Sequence, residues 1–222
     1  MDEKFKAAWI VGIVVFSSML GGMIVFTDSY DDVLKGIVKV TCLSCIKLQP
    51  KTVVEFKFDT YNDAHHPDFI LEDLKEGPIF IAYRTTVCEY CDVMEPIVED
   101  IFNIDSLSED ETTGVRLLNQ TDYAKYTLEY NGTSFVFYHI NSTTSPDYLA
   151  NTQLVYMNDI FRDATPMFTT ITVRYHRGVV TPYYSTVYGV LEKDTYNERK
   201  AVLTGILDDA IDLYKENIVG YE

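Results

Sequence analysis

Positive charge is scarce in this chain. Its 18 Lys and Arg stand against 34 Asp and Glu, for a formal net charge of -16 and a pI near 4.5. A surface of that sign repels phosphate backbones and anionic headgroups, so nucleic acid is not expected as a partner. Cysteine is scarcer still: four residues, in two CxxC pairs, Cys42/Cys45 and Cys88/Cys91. Their separation far exceeds a zinc-ribbon spacing, and no metal site is assigned. Repeats and low-complexity tracts are lacking. The 222 residues, 47% of them hydrophobic, suit one generous domain with an appendage.

Charge is also missing from Ala7 to Phe26, an apolar run through Trp9, Ile10, Val14, Phe16, Leu20 and Val25 that is long enough to span a bilayer. Lys4 and Lys6 precede it, while Asp28, Asp31 and Asp32 follow. That asymmetry favours a cytoplasmic N-terminus and an extracytoplasmic body. A cleaved signal peptide is the alternative. No small-x-small site follows the apolar core, because Met23-Ile24-Val25-Phe26 is bulky, so a retained transmembrane helix is the expectation. Acceptor sequons at Asn119, Asn131 and Asn141 agree with export.

What the chain does hold is a concentrated signal between Gly77 and Pro96. Gly77-Pro78 is a turn, Ile79 to Tyr83 an apolar strand, Cys88-Glu89-Tyr90-Cys91 a vicinal dithiol, and the residues after it a helix. A helix N-terminus presents unpaired N–H groups and partial positive charge, which stabilise a thiolate. The two-residue gap sets the second sulfur one helical turn behind the first, close enough to attack a mixed disulfide. The pattern predicts thiol-disulfide exchange, with Cys88 attacking and Cys91 resolving. Its plain alternatives are a stable structural disulfide or half of a zinc site.

Around this motif, Val53 to Phe58 alternates like a half-buried strand and Pro67 to Leu74 reads as a short helix. Glu89 to Phe102 carries a helical stripe at Val93, Ile97 or Val98, Ile101 and Phe102. Asp105 to Tyr130 lacks a clear period; irregular structure is expected at Ser106 to Thr113 and a helix near Asp122 to Glu129. Ser134 to Ile140 is a strand, followed by the turn-rich Asn141 to Pro146 and a helical stretch through Leu149, Leu154, Val155 and Ile160. Beyond Thr165-Pro166, the β-rich runs Phe168 to Tyr175 and Tyr183 to Tyr188 are joined by a hairpin signal, His176-Arg177-Gly178. An amphipathic helix, Asn197 to Glu216, closes the chain with Val202, Ile206, Ala210 and Leu213 on one face.

Other candidates have ordinary explanations. His65-His66 beside Asp63 and Asp68 reads as a polar loop and helix cap before Pro67 rather than a metal site. His139 reads as a strand residue and His176 as a turn residue. The 17 tyrosines are scattered through strands and read as packing residues. Cys42/Cys45 is either an oxidised local staple or a second shuttle dithiol.

The order β-α-β-CxxC-α-β-α-Thr-Pro-β-β-α resembles the thioredoxin superfamily over roughly Val53 to Tyr214. Cys88 and Cys91 sit at the strand-to-helix junction, and Pro96 falls five residues after the second cysteine, where thioredoxins kink the active-site helix. Thr165-Pro166 precedes a strand where the family places a cis-proline, and Gly178 closes the last hairpin. The resemblance implies an α/β thioredoxin-like fold, a central mixed sheet flanked by helices, here with an N-terminal transmembrane helix. It implies a cis bond at Pro166 whose loop presents a backbone edge to an extended substrate, making Thr165 and Pro166 substrate-binding candidates. Departures are informative. Thioredoxin's Trp and Gly-Pro are replaced by Val87 and Glu89-Tyr90, and its buried aspartate six positions before the first cysteine is Ala82 here. The chain looks more like exported, membrane-anchored members that reduce or rearrange disulfides, and Glu89 becomes the candidate for proton transfer.

These readings divide the chain into a cytoplasmic tail (1–6), a transmembrane anchor (7–26), a linker with the first CxxC pair (27–52) and a thioredoxin-like domain (53–222). The expected function is extracytoplasmic exchange with protein thiols and disulfides, a redox partner recycling the dithiol and the membrane met through the N-terminal helix. No cofactor is implied. The alternatives are a redox-inactive binding module of the same fold and an exported metal chaperone using both dithiols.

Overall fold

β-branched and aromatic runs build six strands among the described residues, which are 52–105, 107, 123–157 and 165–221 of the computed structural model. They are β1 (Val53–Lys57), β2 (Ile79–Arg84), β3 (Tyr123–Tyr130), β4 (Thr133–Asn141), β5 (Met167–His176) and β6 (Val179–Tyr188). The helices are α1 (Asp68–Asp73), α2 (Cys91–Phe102), α3 (Asp147–Ala150), α4 (Thr152–Tyr156) and α5 (Tyr196–Asn217). The strands form one mixed sheet in the order β1-β6-β5-β2-β4-β3. β2 runs parallel to β4, and every other neighbouring pair is antiparallel.

β2 lies inside the sheet because its run Ile79-Phe80-Ile81-Ala82-Tyr83 is apolar on both faces, as a strand covered by helices on each side requires. Alternation along the strands then splits the core. Phe80, Ala82, Phe137 and Phe168 meet Met94 and Val98 of α2 and Leu203 and Leu207 of α5. Ile81, Tyr83, Tyr138 and Tyr184 meet Ile70 of α1, Leu149 of α3 and Tyr156 of α4 on the opposite side. The start of β2 passes so close to β4 that a Cβ at Gly77 would run into the carbonyl oxygen of Ser134. A side chain there is excluded by backbone. The tyrosines expected to pack do so, with Tyr83, Tyr156, Tyr184 and Tyr188 fully buried.

The strand, short-helix and hairpin expectations around the dithiol hold, and four others are corrected. The helix expected near Asp122 to Glu129 is the strand β3, paired along its whole length with β4. Its residues alternate, with Tyr126, Leu128 and Tyr130 turned to the α2 side. The turn that joins it to β4 is Asn131-Gly132, both at positive φ (49° and 71°), which is the backbone a two-residue hairpin demands. On α2 the buried face is Cys91, Met94, Glu95, Ile97, Val98 and Phe102, while Val93, expected inside, is exposed. The helix also starts at Cys91 rather than Glu89. On α5 the buried residues are Leu203, Leu207, Ala210, Ile211 and Tyr214, and Val202 and Ile206 flank them half-buried. A capping box starts α5: the Thr195 hydroxyl accepts from the Glu198 N–H, and the Glu198 carboxylate accepts from the Thr195 N–H.

The apolar run Ala7 to Phe26 with its flanking charges, Cys42 and Cys45, Asn119, Ile160 and most of Ser106 to Thr113 lie outside the described residues. Among the described residues, no helix is long and apolar enough to cross a membrane.

Candidate functional site

β2 ends at Arg84, and the next four residues carry the chain to Cys88 at the edge of the α2 helix start. Cys88 and Cys91 are joined in a disulfide, with their Cα atoms 5.3 Å apart. The turn is closed by the Cys91 N–H, which donates to the Cys88 carbonyl at 3.2 Å. Cys91, the first residue of α2, is 0% exposed. Cys88 is half-buried and Glu89 exposed in the turn between the sulfurs. Val87 and Tyr90 stand at 90% and 58% exposure, so apolar surface frames the one sulfur that reaches the outside. Pro96 lies inside α2, where its ring cannot donate the hydrogen bond a helix interior normally uses.

The approach to the dithiol is pinned from two directions. The Thr85 hydroxyl lies 3.2 Å from the Thr165 hydroxyl and donates to the Val87 carbonyl at 3.0 Å. The Thr165-Pro166 bond is cis, as the resemblance implies. Pro166 is buried and its carbonyl accepts from the Gly189 N–H at 2.7 Å. From the other direction, the end of β4 holds the same segment. The Thr86 N–H donates to the Thr143 hydroxyl at 3.3 Å, Asn141 donates its amide to the Thr86 hydroxyl at 3.4 Å, and the Ser142 N–H meets the Arg84 carbonyl at 2.8 Å. Asn141 is buried in this role. In the folded chain its sequon is therefore closed, while Asn131 remains exposed at the β3–β4 turn.

One turn along the buried face of α2 from Cys91 lies a group of charges that the sequence pattern does not mark as a site. Arg84 Nη1 donates to Glu95 Oε2 at 3.3 Å, and the two side chains are 15% and 5% exposed. Glu95 Oε1 lies 3.7 Å from His139 Nε2, on a ring only 2% exposed. His139 lies beside Ala82 in the parallel β2–β4 register. Burial lowers the His139 pKa, the Glu95 carboxylate opposes that, and the Arg84 charge adds to it. The Nε2 atom has no hydrogen-bond partner. One signal for Glu95 was present in the sequence: it follows Cys91 by four residues, so a helix that buries one buries the other.

The remaining candidates disperse. His66 turns inward, its Nδ1 3.2 Å from the Tyr156 hydroxyl, and His176 stacks on Phe58 with ring centroids 4.1 Å apart. Among the described residues, no group of three or more His, Cys, Asp or Glu is gathered as a metal site. Compared with family models, curated proteins and solved structures, the chain finds no match in any of the three.

Proposed function

We propose that the chain is an extracytoplasmic thiol-disulfide oxidoreductase of thioredoxin-like fold, tethered through Ala7 to Phe26 and acting on protein substrates. The observation that carries this reading is the bonded Cys88–Cys91 pair at the end of a buried strand, with Cys91 inside and Cys88 reaching the surface. Its tie through Thr85 to the cis Thr165-Pro166 loop supports it. So does the order of elements, which follows the thioredoxin-like pattern with β3 added ahead of β4.

In the reaction, a thiolate on Cys88 attacks a substrate disulfide, forming a mixed disulfide and releasing one substrate thiolate. Cys91 then attacks the Cys88 sulfur, the second substrate sulfur leaves, and the pair ends oxidised. A redox partner returns it to the dithiol. Val87 and Tyr90 supply apolar contact for a client held against Cys88. Because the Pro166 carbonyl is already engaged by Gly189, backbone pairing with that client rests on Thr165.

Replacing Cys91 by Ser stalls the reaction at the mixed disulfide, since a serine hydroxyl cannot displace a sulfur at neutral pH. Covalent partners accumulate on Cys91→Ser in the native host without reductant and vanish in Cys88→Ser/Cys91→Ser. No trapped species in either variant would favour a redox-inactive binding module instead.

A further inference from the structure

We propose that Glu95 and His139, braced by Arg84, form an internal proton-accepting pair that takes the proton of Cys91 in the release step; this rests on the exchange reading above. Cys91 is fully buried, so bulk water is not at hand to deprotonate it, and Glu89 stands out in solvent. Glu95 rides the same buried face of α2 one turn later. Residues four apart on one helix face are neighbours, and helical side chains lean toward the N-terminus, the end at which Cys91 sits.

The pair has the capacity for a proton. Arg84 stays charged at any physiological pH and engages Oε2. The other oxygen faces His139 Nε2, a buried nitrogen without a hydrogen-bond partner. Buried polar atoms left in that state are exceptional and call for an explanation. Burial lowers the basicity of the ring and the Glu95 carboxylate opposes that. The charged groups facing it are Arg84 from β2 and Glu95 from α2. On the outer flank of α2, α5 contributes Tyr196 and Lys200, both engaged with Asp100 at the surface.

The balance of the step favours this arrangement. The Cys91 S–H bond breaks and its proton passes to the Glu95/His139 pair, so charge moves within the buried site while its total stays constant. No uncompensated charge is created in a low-dielectric region. The Cys91 thiolate then donates its electron pair to the Cys88 sulfur. The bond between Cys88 and the substrate sulfur breaks, and the substrate leaves as a thiolate carrying that electron pair; the substrate is reduced and the dithiol oxidised.

The test mixes the reduced full chain, in a Cys42→Ser/Cys45→Ser background, with dithiobis(nitrobenzoate) and follows the coloured thiolate released. The first phase reads attack by Cys88 and the second reads release by Cys91. Glu95→Gln and His139→Gln should each slow the second phase on the order of a hundredfold near neutral pH and leave the first unchanged. The deficit should shrink as pH rises past about 8.5, where a thiol ionises unaided. Arg84→Met/Glu95→Gln, which removes both buried charges together, should show the same second-phase loss and guards against a variant that merely unfolds. An unchanged second phase in Glu95→Gln and His139→Gln, or an equal slowing of both phases at every pH, would overturn the pair's role. Absence of a first phase in the parent would instead overturn the exchange reading beneath it.

Discussion

Asp73 and His66 lie on one side of the sheet, Glu95 and His139 on the other, and the two acid–imidazole sets are wired differently. On the α1 side, Asp73 accepts from Lys125 Nζ at 2.7 Å through one oxygen and from the Tyr138 hydroxyl through the other. His66 has the Tyr156 hydroxyl at 3.2 Å. On the α2 side, Arg84 engages one oxygen of Glu95 at 3.3 Å, while the other faces an imidazole nitrogen 3.7 Å away that bonds to nothing. A carboxylate tied at both oxygens locks two strands to a helix. One held by a permanent cation beside an unpartnered nitrogen keeps room for a proton, and this one shares a helix face with the buried cysteine.

The comparison breaks most visibly when Glu95 is removed. Glu95→Ala leaves the Arg84 guanidinium buried without its anion, and breaking such a pair costs about 3–5 kcal/mol. The midpoint of denaturant unfolding should fall accordingly, and Arg84→Met in the same chain should recover much of the loss. A midpoint within error of the parent would mean that Arg84 reaches solvent when Glu95 is gone.

Next in size is an acid dependence that belongs to the other side. Burial, then the neighbouring His65 charge, lowers the His66 pKa to about 4 from the usual 6.5. As pH falls through 6.5 the unfolded chain takes up a proton before the folded chain does, so stability declines until about pH 4 and then levels. Each unit of separation is worth about 1.4 kcal/mol. His66→Gln should remove that slope from stability measured by chemical denaturation between pH 6.5 and 4. Persistence of the full slope would assign the acid sensitivity to another group.

Asp73 carries the smallest of these effects. Asp73→Asn loses the ionised acceptor of the Lys125 and Tyr138 bonds and should cost about 1–3 kcal/mol. It should leave the rate of disulfide release as in the parent, because Asp73 lies on the far face from the dithiol. A loss of exchange as large as that of Glu95→Gln would erase the distinction between the two acids.

Much of the framework around the dithiol was legible because local signals agreed. An apolar five-residue run, a turn before it and a helix stripe after it place Cys88 and Cys91 at a junction, and in the Arg177-Gly178 turn (φ 49° and 95°) the glycine takes a positive φ that it adopts readily. β3 was lost although its turn was written in Asn131-Gly132. The same residues also spell a glycan acceptor, and the alternation Tyr126, Leu128, Tyr130 is masked by the polar residues between them. The faces of α2 and α5 slipped by one residue because neighbouring apolar positions offer two overlapping stripes and only the sheet beneath selects between them. The charged group was hidden for a deeper reason. A search for cores looks for apolar residues at helical spacing, and Glu95 occupies a core position as a charge. His139 acquires its place only through the β2–β4 register, which joins residues far apart in the chain.

In the proposed exchange, Cys88 is the sulfur that meets substrate and Cys91 the one held in reserve. The most direct test reduces the full chain, exposes it to a limiting amount of iodoacetamide across a range of pH, and maps the modified peptides by mass spectrometry. Cys88 should be modified first near neutral pH, with a midpoint below the ordinary thiol value of about 8.5, while Cys91 stays protected by its burial. Cys91 reacting first, or both thiols reacting only as ordinary thiols do above that pH, would contradict it.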